Sequence, residues 1–69
     1  MKALIRNPKN GRKAWFSFPF YFGKLSAIGH SCSYDDEVEI VAFEGVEVLP
    51  LGQATLYDLE MVNRIAEGI

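Results

Sequence analysis

Apolar and polar positions alternate from the first residues. In Lys2–Arg6, Leu4 and Ile5 supply apolar surface for a short strand. Asn7-Pro8-Lys9-Asn10-Gly11 interrupts it. Pro8 sets φ for the second position of a turn, and Asn10-Gly11 tolerates the positive φ that reverses the chain. Ala14, Phe16 and Phe18 then alternate with Lys13, Trp15 and Ser17, which predicts a second strand over Arg12–Phe18, antiparallel to the first. Pro19 lacks an N–H and ends that strand. Phe22, Leu25 and Ile28 recur every third residue, with Pro19 ahead of them and Gly29 behind. This predicts a short helix over Pro19–Ile28, weakened at Gly23 by about 1 kcal/mol relative to alanine.

His30–Asp36 is a polar loop, and Glu37–Glu44 is the third strand. Its alternation puts Val38, Ile40 and Ala42 on one face and Glu37, Glu39, Val41 and Phe43 on the other. A bend at Gly45 leads into a further extended segment, Val46–Leu51. Thr55 is a good N-cap, with Asp58 three residues later as a capping-box partner. Leu56, Leu59, Val62 and Ala66 line one stripe of the helix that follows, Ile65 flanks it, and Gly68 stops it. The order predicts one α+β domain over residues 1–69. A small antiparallel sheet, the hairpin plus a third strand, carries the short helix and the C-terminal helix on one face.

A chain of 69 residues buries only about 60% of its unfolded surface, so its stability is marginal. With 49% apolar and 23% charged residues it is too hydrophobic for a disordered segment. The uncharged run Ala14–Gly23 is about half as long as a membrane span requires, and Lys2–Lys13 lacks signal-peptide character. A cytoplasmic protein of the host cell is expected. The lone Cys32 excludes an internal disulfide.

Charge is segregated along the chain. Lys2, Arg6, Lys9, Arg12, Lys13 and Lys24 precede every acid. Residues 25–69 hold nine acids and one base, Arg64, for a segment charge of −8. One account is solvated surface, the basic hairpin neutralising the acidic remainder. The other is a binding role for the acids, because Asp35, Asp36, Glu37, Glu39, Glu44 and Glu47 lie within 13 residues. On a strand, Glu37 and Glu39 project from one side about 6.5–7 Å apart, a spacing that resembles successive phosphates along a nucleic-acid strand.

Catalytic chemistry finds little support. His30 and Cys32 flank Ser31 without an orienting third group or a second ligand pair, so they read as loop residues rather than a nucleophile or zinc site. Tyr34-Asp35-Asp36-Glu37 lacks the alternating ligands and central glycine of a calcium loop. Neither an enzyme nor a cofactor is expected. Six of nine aromatics fall in Trp15–Phe22. Beside Arg12 and Lys13, Trp15 could stack on nucleic-acid bases, although Phe16 and Phe18 share a face that a core requires.

Gly11-Arg12-Lys13-Ala14-Trp15-Phe16-Ser17-Phe18-Pro19, then Phe22, the Tyr34-Asp35-Asp36-Glu37-Val38-Glu39-Ile40 stretch, and Thr55, Asp58, Leu59, Val62 and Asn63 follow one another in order. This series resembles the N-terminal domain of ArdA antirestriction proteins over about residues 2–66. The resemblance implies a hairpin, a short helix, an acidic strand and a capped helix. It also implies an anti-defence protein of mobile elements or phage, an acidic DNA mimic that occupies the DNA-binding groove of a restriction–modification enzyme. The chain departs from the family in its lower acidity and its basic hairpin. It could instead block a shorter site, as an anti-CRISPR protein on the PAM-reading groove of a Cas nuclease does. The resemblance thus implies a DNA-binding defence enzyme as the partner, reached by protein–protein interaction without direct contact to nucleic acid or membrane. A reading of another class is a nucleic-acid-binding module built on Arg12, Lys13 and Trp15.

Overall fold

A computed structural model describes residues 1–45 and 49–68. Strands β1 (Lys2–Arg6), β2 (Lys13–Ser17), β3 (Val38–Glu44) and β4 (Gly52–Ala54) form one antiparallel sheet in the order β2-β1-β3-β4. A 3₁₀ helix (Phe22–Ile28) and α1 (Leu56–Glu67) complete the α+β domain. Leu25, Ile28, Leu56, Leu59 and Val62 are buried with Ala3, Ile5, Phe16, Val38 and Ile40 in one core. The other face of the sheet carries the alternate residues of each strand.

The hairpin turn does more than reverse the chain. Asn7 is 2% exposed. Its side-chain oxygen accepts from the Lys9 N–H, and that of Asn10 accepts from the Arg12 N–H. Both amide nitrogens donate to the Ile28 carbonyl, at 3.1 and 3.0 Å, and the Arg12 guanidinium donates to the Ala27 carbonyl at 2.7 Å. The turn therefore holds the last carbonyls of the 3₁₀ helix, groups with no partner inside a helix. Gly29, at φ +73°, returns its N–H to the Ser26 carbonyl.

Four expectations need correction. The segment expected as a helix over Pro19–Ile28 is 3₁₀ and begins at Phe22. A spacing of three is what a three-residue turn eclipses, so Leu25 and Ile28 fall on one line. The second strand is one residue shorter at each end than Arg12–Phe18, and the third begins at Val38 rather than Glu37. Of the extended segment Val46–Leu51, residues 46–48 lie outside the described residues; among the described residues a fourth strand pairs over Gly52–Ala54. Fourth, the single alternation expected along β3 breaks. Leu4 pairs with Ala42 but Ile5 with Ile40, leaving Val41 as an unpaired bulge residue. Beyond it the faces exchange: Phe43, opposite buried Ala3, packs against the core, and Ala42 shares the outer face with Leu4.

The C-terminal helix forms as expected. Thr55 Oγ1 accepts from the Asp58 N–H at 3.2 Å, and the Asp58 carboxylate accepts from the Thr55 N–H at 3.0 Å. Asn63 ties α1 to the aromatic run. Its amide accepts from the Phe20 N–H at 3.1 Å and donates to the Phe20 carbonyl at 3.0 Å. Phe20 sits 4.9 Å from Phe16 and 5.2 Å from Phe18, ring centre to ring centre. Among the described residues no helix is long and apolar enough to cross a membrane.

Candidate functional site

Strand register lays out the open face of the sheet as three rows. Lys13, Arg6, Glu39 and Gln53 form one row across β2, β1, β3 and β4. Trp15, Leu4 and Ala42 form the middle row, and Ser17, Lys2 and Glu44 the third. Cations thus line β1 and the edge strand β2, whereas carboxylates line β3. Trp15 is 50% exposed beside half-buried Leu4. Val41 and Leu51 add exposed apolar surface near the β3–β4 side, Leu51 at 54%.

The acidic set divides by partner. Arg6 donates to Glu39 at 3.4 Å, and Lys9 donates to Asp36 at 2.7 Å. Asp36 also accepts from the Ser31 hydroxyl. The hydrogen bond from Lys9, followed by that from Ser31, holds the Asp36 carboxyl below its ordinary value. Two of the six predicted acids are therefore satisfied by the hairpin and its neighbouring loop. Asp35, Glu37 and Glu44 are exposed, and among the described residues no cation lies within 4 Å of them. Glu44 faces Lys2 across the β1–β3 ladder without such a contact. Glu47 lies outside the described residues. The six do not make an unbroken anionic row.

The alternative basic patch divides as well. Lys13 and Trp15 both project from the open face, but Arg12 is bound to the Ala27 carbonyl and serves the hairpin–helix junction. Lys2 and Arg6, whose side chains join Lys13 on that face, were not in the predicted patch.

His30 and Cys32 serve the loop. His30 is 5% exposed; its Nδ1 accepts from the Cys32 N–H at 2.8 Å, leaving Nε2–H to donate to the Asp36 carbonyl at 3.3 Å. Both imidazole nitrogens are engaged by backbone, and the thiol lies against the Gly23 and His30 carbonyls. Cys32 itself takes φ +64°, a left-handed conformation uncommon outside glycine. Among the described residues no cluster of three or more His, Cys, Asp or Glu side chains could hold a metal ion.

The acidic loop docks on α1 through aromatics absent from the predicted site. Tyr34 packs edge-on against Tyr57 at 4.7 Å and Phe22 at 5.9 Å, and its hydroxyl donates to Glu60 at 2.8 Å. That hydrogen bond to a carboxylate raises the Tyr34 phenol above its ordinary value. Glu60 in turn accepts from Arg64 at 2.6 Å. These contacts fix the loop bearing Asp35 and Glu37 relative to the helix. Comparison with family models, with curated proteins and with solved structures gives no match.

Proposed function

We propose that this domain is a non-catalytic anti-defence inhibitor, one that occupies the DNA-binding site of a restriction–modification enzyme through an acidic surface. The observation that carries the reading is the set Asp35, Glu37 and Glu44, exposed carboxylates with no cation within 4 Å among the described residues. Asp35 and Glu37 stand on a loop braced by Tyr34 and His30, so little ordering remains to be done on binding. Against a groove lined by lysine and arginine they form charge-assisted contacts, stronger than neutral hydrogen bonds and steering encounter at low salt. The choice of target rests on the ArdA resemblance of the sequence. With Val41 bulged out of the ladder, the chain advances about 20 Å from Glu37 to Glu44 at ~3.3 Å per residue, the length of about six base pairs at ~3.4 Å each. That span favours a short site, and the PAM-reading groove of a Cas nuclease is the second target by this argument.

The test measures DNA cleavage by a purified type I restriction enzyme, and separately by a Cas nuclease, with increasing amounts of the protein. Inhibition is expected for one of them, relieved by excess DNA. The triple variant Asp35→Asn, Glu37→Gln, Glu44→Gln is expected to lose most of the inhibition, with unfolding shifted by only tenths of a kcal/mol. Undiminished inhibition by the folded triple variant overturns the reading. Tight, salt-sensitive binding of labelled oligonucleotides by the protein alone overturns it too, in favour of the nucleic-acid module on Lys13 and Trp15.

A further inference from the structure

The open sheet face is complementary to itself. Its cations stand on β1 and β2 and its carboxylates on β3, with the apolar row between the two charged rows. A two-fold axis placed in the plane of this face, parallel to the strands and midway between β1 and β3, keeps each row in place. It exchanges the two sides. Under that operation Lys2 of one copy faces Glu44 of the other, and Arg6 faces Glu39, each contact occurring twice as an isologous interface requires. Leu4 meets Ala42 in the middle row. Trp15, at the β2 edge, lies over the far side of the partner's sheet, beyond β1, toward β3, where Val41 is exposed. A face that carried only cations, or cations and carboxylates mixed along each strand, would not have this property.

We propose that a second copy of this chain occupies the open face, forming a two-fold dimer with the sheets packed face to face. Sheets stacked in this way lie about 10 Å apart with aligned strands, a separation that opposed lysine and glutamate side chains can span. The resulting interface has an apolar centre and a charged rim, the usual anatomy of a protein–protein contact. Four strands at ~4.8 Å by five residues at ~3.4 Å give a face of about 19 by 17 Å in plan. This is well under the roughly 800 Å² per partner of a standard stable interface, so the dimer is weak and concentration-dependent. Glu44 is covered in the dimer, and self-association therefore competes with any partner that reads that carboxylate. The dimer stands independently of the anti-defence reading.

Charge exchange tests it. Sedimentation equilibrium of the wild-type chain is expected to show a monomer–dimer equilibrium in the upper micromolar range, weakening with added salt. Lys2→Glu and Glu44→Lys each set like charges against one another twice per dimer, and each is expected to weaken association at least tenfold. Mixed in equal amounts, the two variants restore opposite charges at both contacts and associate as a one-to-one heterodimer. Because neither chain's own cross-strand pairing changes on mixing, recovery reports the intermolecular contact alone. Trp15 is the only tryptophan, so its emission is expected to shift to the blue as the protein is concentrated. Trp15→Thr keeps a strand-forming residue at the edge and removes the large apolar contact, and it is expected to weaken association with folding intact. A wild-type chain that stays monomeric to millimolar concentration overturns the proposal. So does a mixture of the two charge variants that shows no association beyond the separate variants.

Discussion

Replacing Asn63 by alanine removes the one side chain that satisfies both backbone polar groups of Phe20. Two hydrogen bonds are lost, at 3.1 and 3.0 Å, between positions 43 residues apart. Leaving a buried backbone group unpaired costs about 1–3 kcal/mol, and these groups are only part-buried, so the pair is worth about 2–3 kcal/mol. Alanine is the better helix former by up to ~0.7 kcal/mol, which offsets a little of that. The net expectation is a loss of about 2 kcal/mol. For a domain of this size, with about 3–10 kcal/mol in all, that lowers Tm by about 8–16 °C. Urea and thermal unfolding followed by circular dichroism measure it, with Met61→Ala on the exposed side of α1 as the control within about 0.5 kcal/mol. Asn63→Asp sharpens the test. A carboxylate still accepts from the Phe20 N–H but sets an oxygen against the Phe20 carbonyl, so at pH 7 it should cost more than alanine. Protonation restores the donor. The folded state thus raises that carboxyl's pKa, and the penalty is relieved as pH falls through it. If Asn63→Ala unfolds within 0.5 kcal/mol of the wild type, the tether is not what holds the aromatic run to α1.

Three further outcomes follow from the same contacts. Phe16→Ala, which empties a buried site beside Phe20, should lose about 3–5 kcal/mol and leave the domain at the edge of folding at 25 °C by urea titration. Asp36 is held below its ordinary value of 3.8, so its contribution is complete above that pH and disappears as pH falls through the folded value; Asp36→Asn should flatten the acid limb of stability against pH. Tyr34 is raised above 10.0, so the stability it gives with Glu60 is present below that pH and lost as pH rises through the folded value. In an alkaline absorbance titration, Tyr34→Phe should delete the raised phenol, and Glu60→Gln should bring the Tyr34 titration back toward the ordinary range.

What could be read from the chain is what depends on near neighbours. Period-two alternation over Lys13–Phe18 put Phe16 and Phe18 into the core, where they are 6% and 8% exposed. Thr55 and Asp58 marked the start of α1 because a capping box closes within one turn. The type of the first helix was less accessible. Its spacing of three was visible, but Asn7, Asn10 and Arg12 reach its final carbonyls from 15 to 21 residues away. The candidate site shows the same limit more strongly. Asp36 and Glu39 stood in the acidic set on spacing alone, whereas the lysine and arginine that engage them come from 27 and 33 residues earlier. Tyr34 and Glu60 were separated in the same way, by 26 residues.

The bulge at Val41 bears on how this chain can drift. Val38 and Ile40 on one side of it, and Phe43 on the other, reach the same core only because one residue is left out of the ladder. Deleting Val41 removes the extra residue and leaves Ile40 opposite Ile5 and Ala42 opposite Leu4 as successive pairs, so Phe43 keeps its place in the core and Ala42 its place on the outer face. The shortened strand therefore needs no exchange of apolar and polar identities at residues 42–44. Among descendants of such a sequence, length at this point is free to fall by one while the polarity of the following three residues is kept. A gap here with inverted polarity marks a chain that no longer builds this sheet.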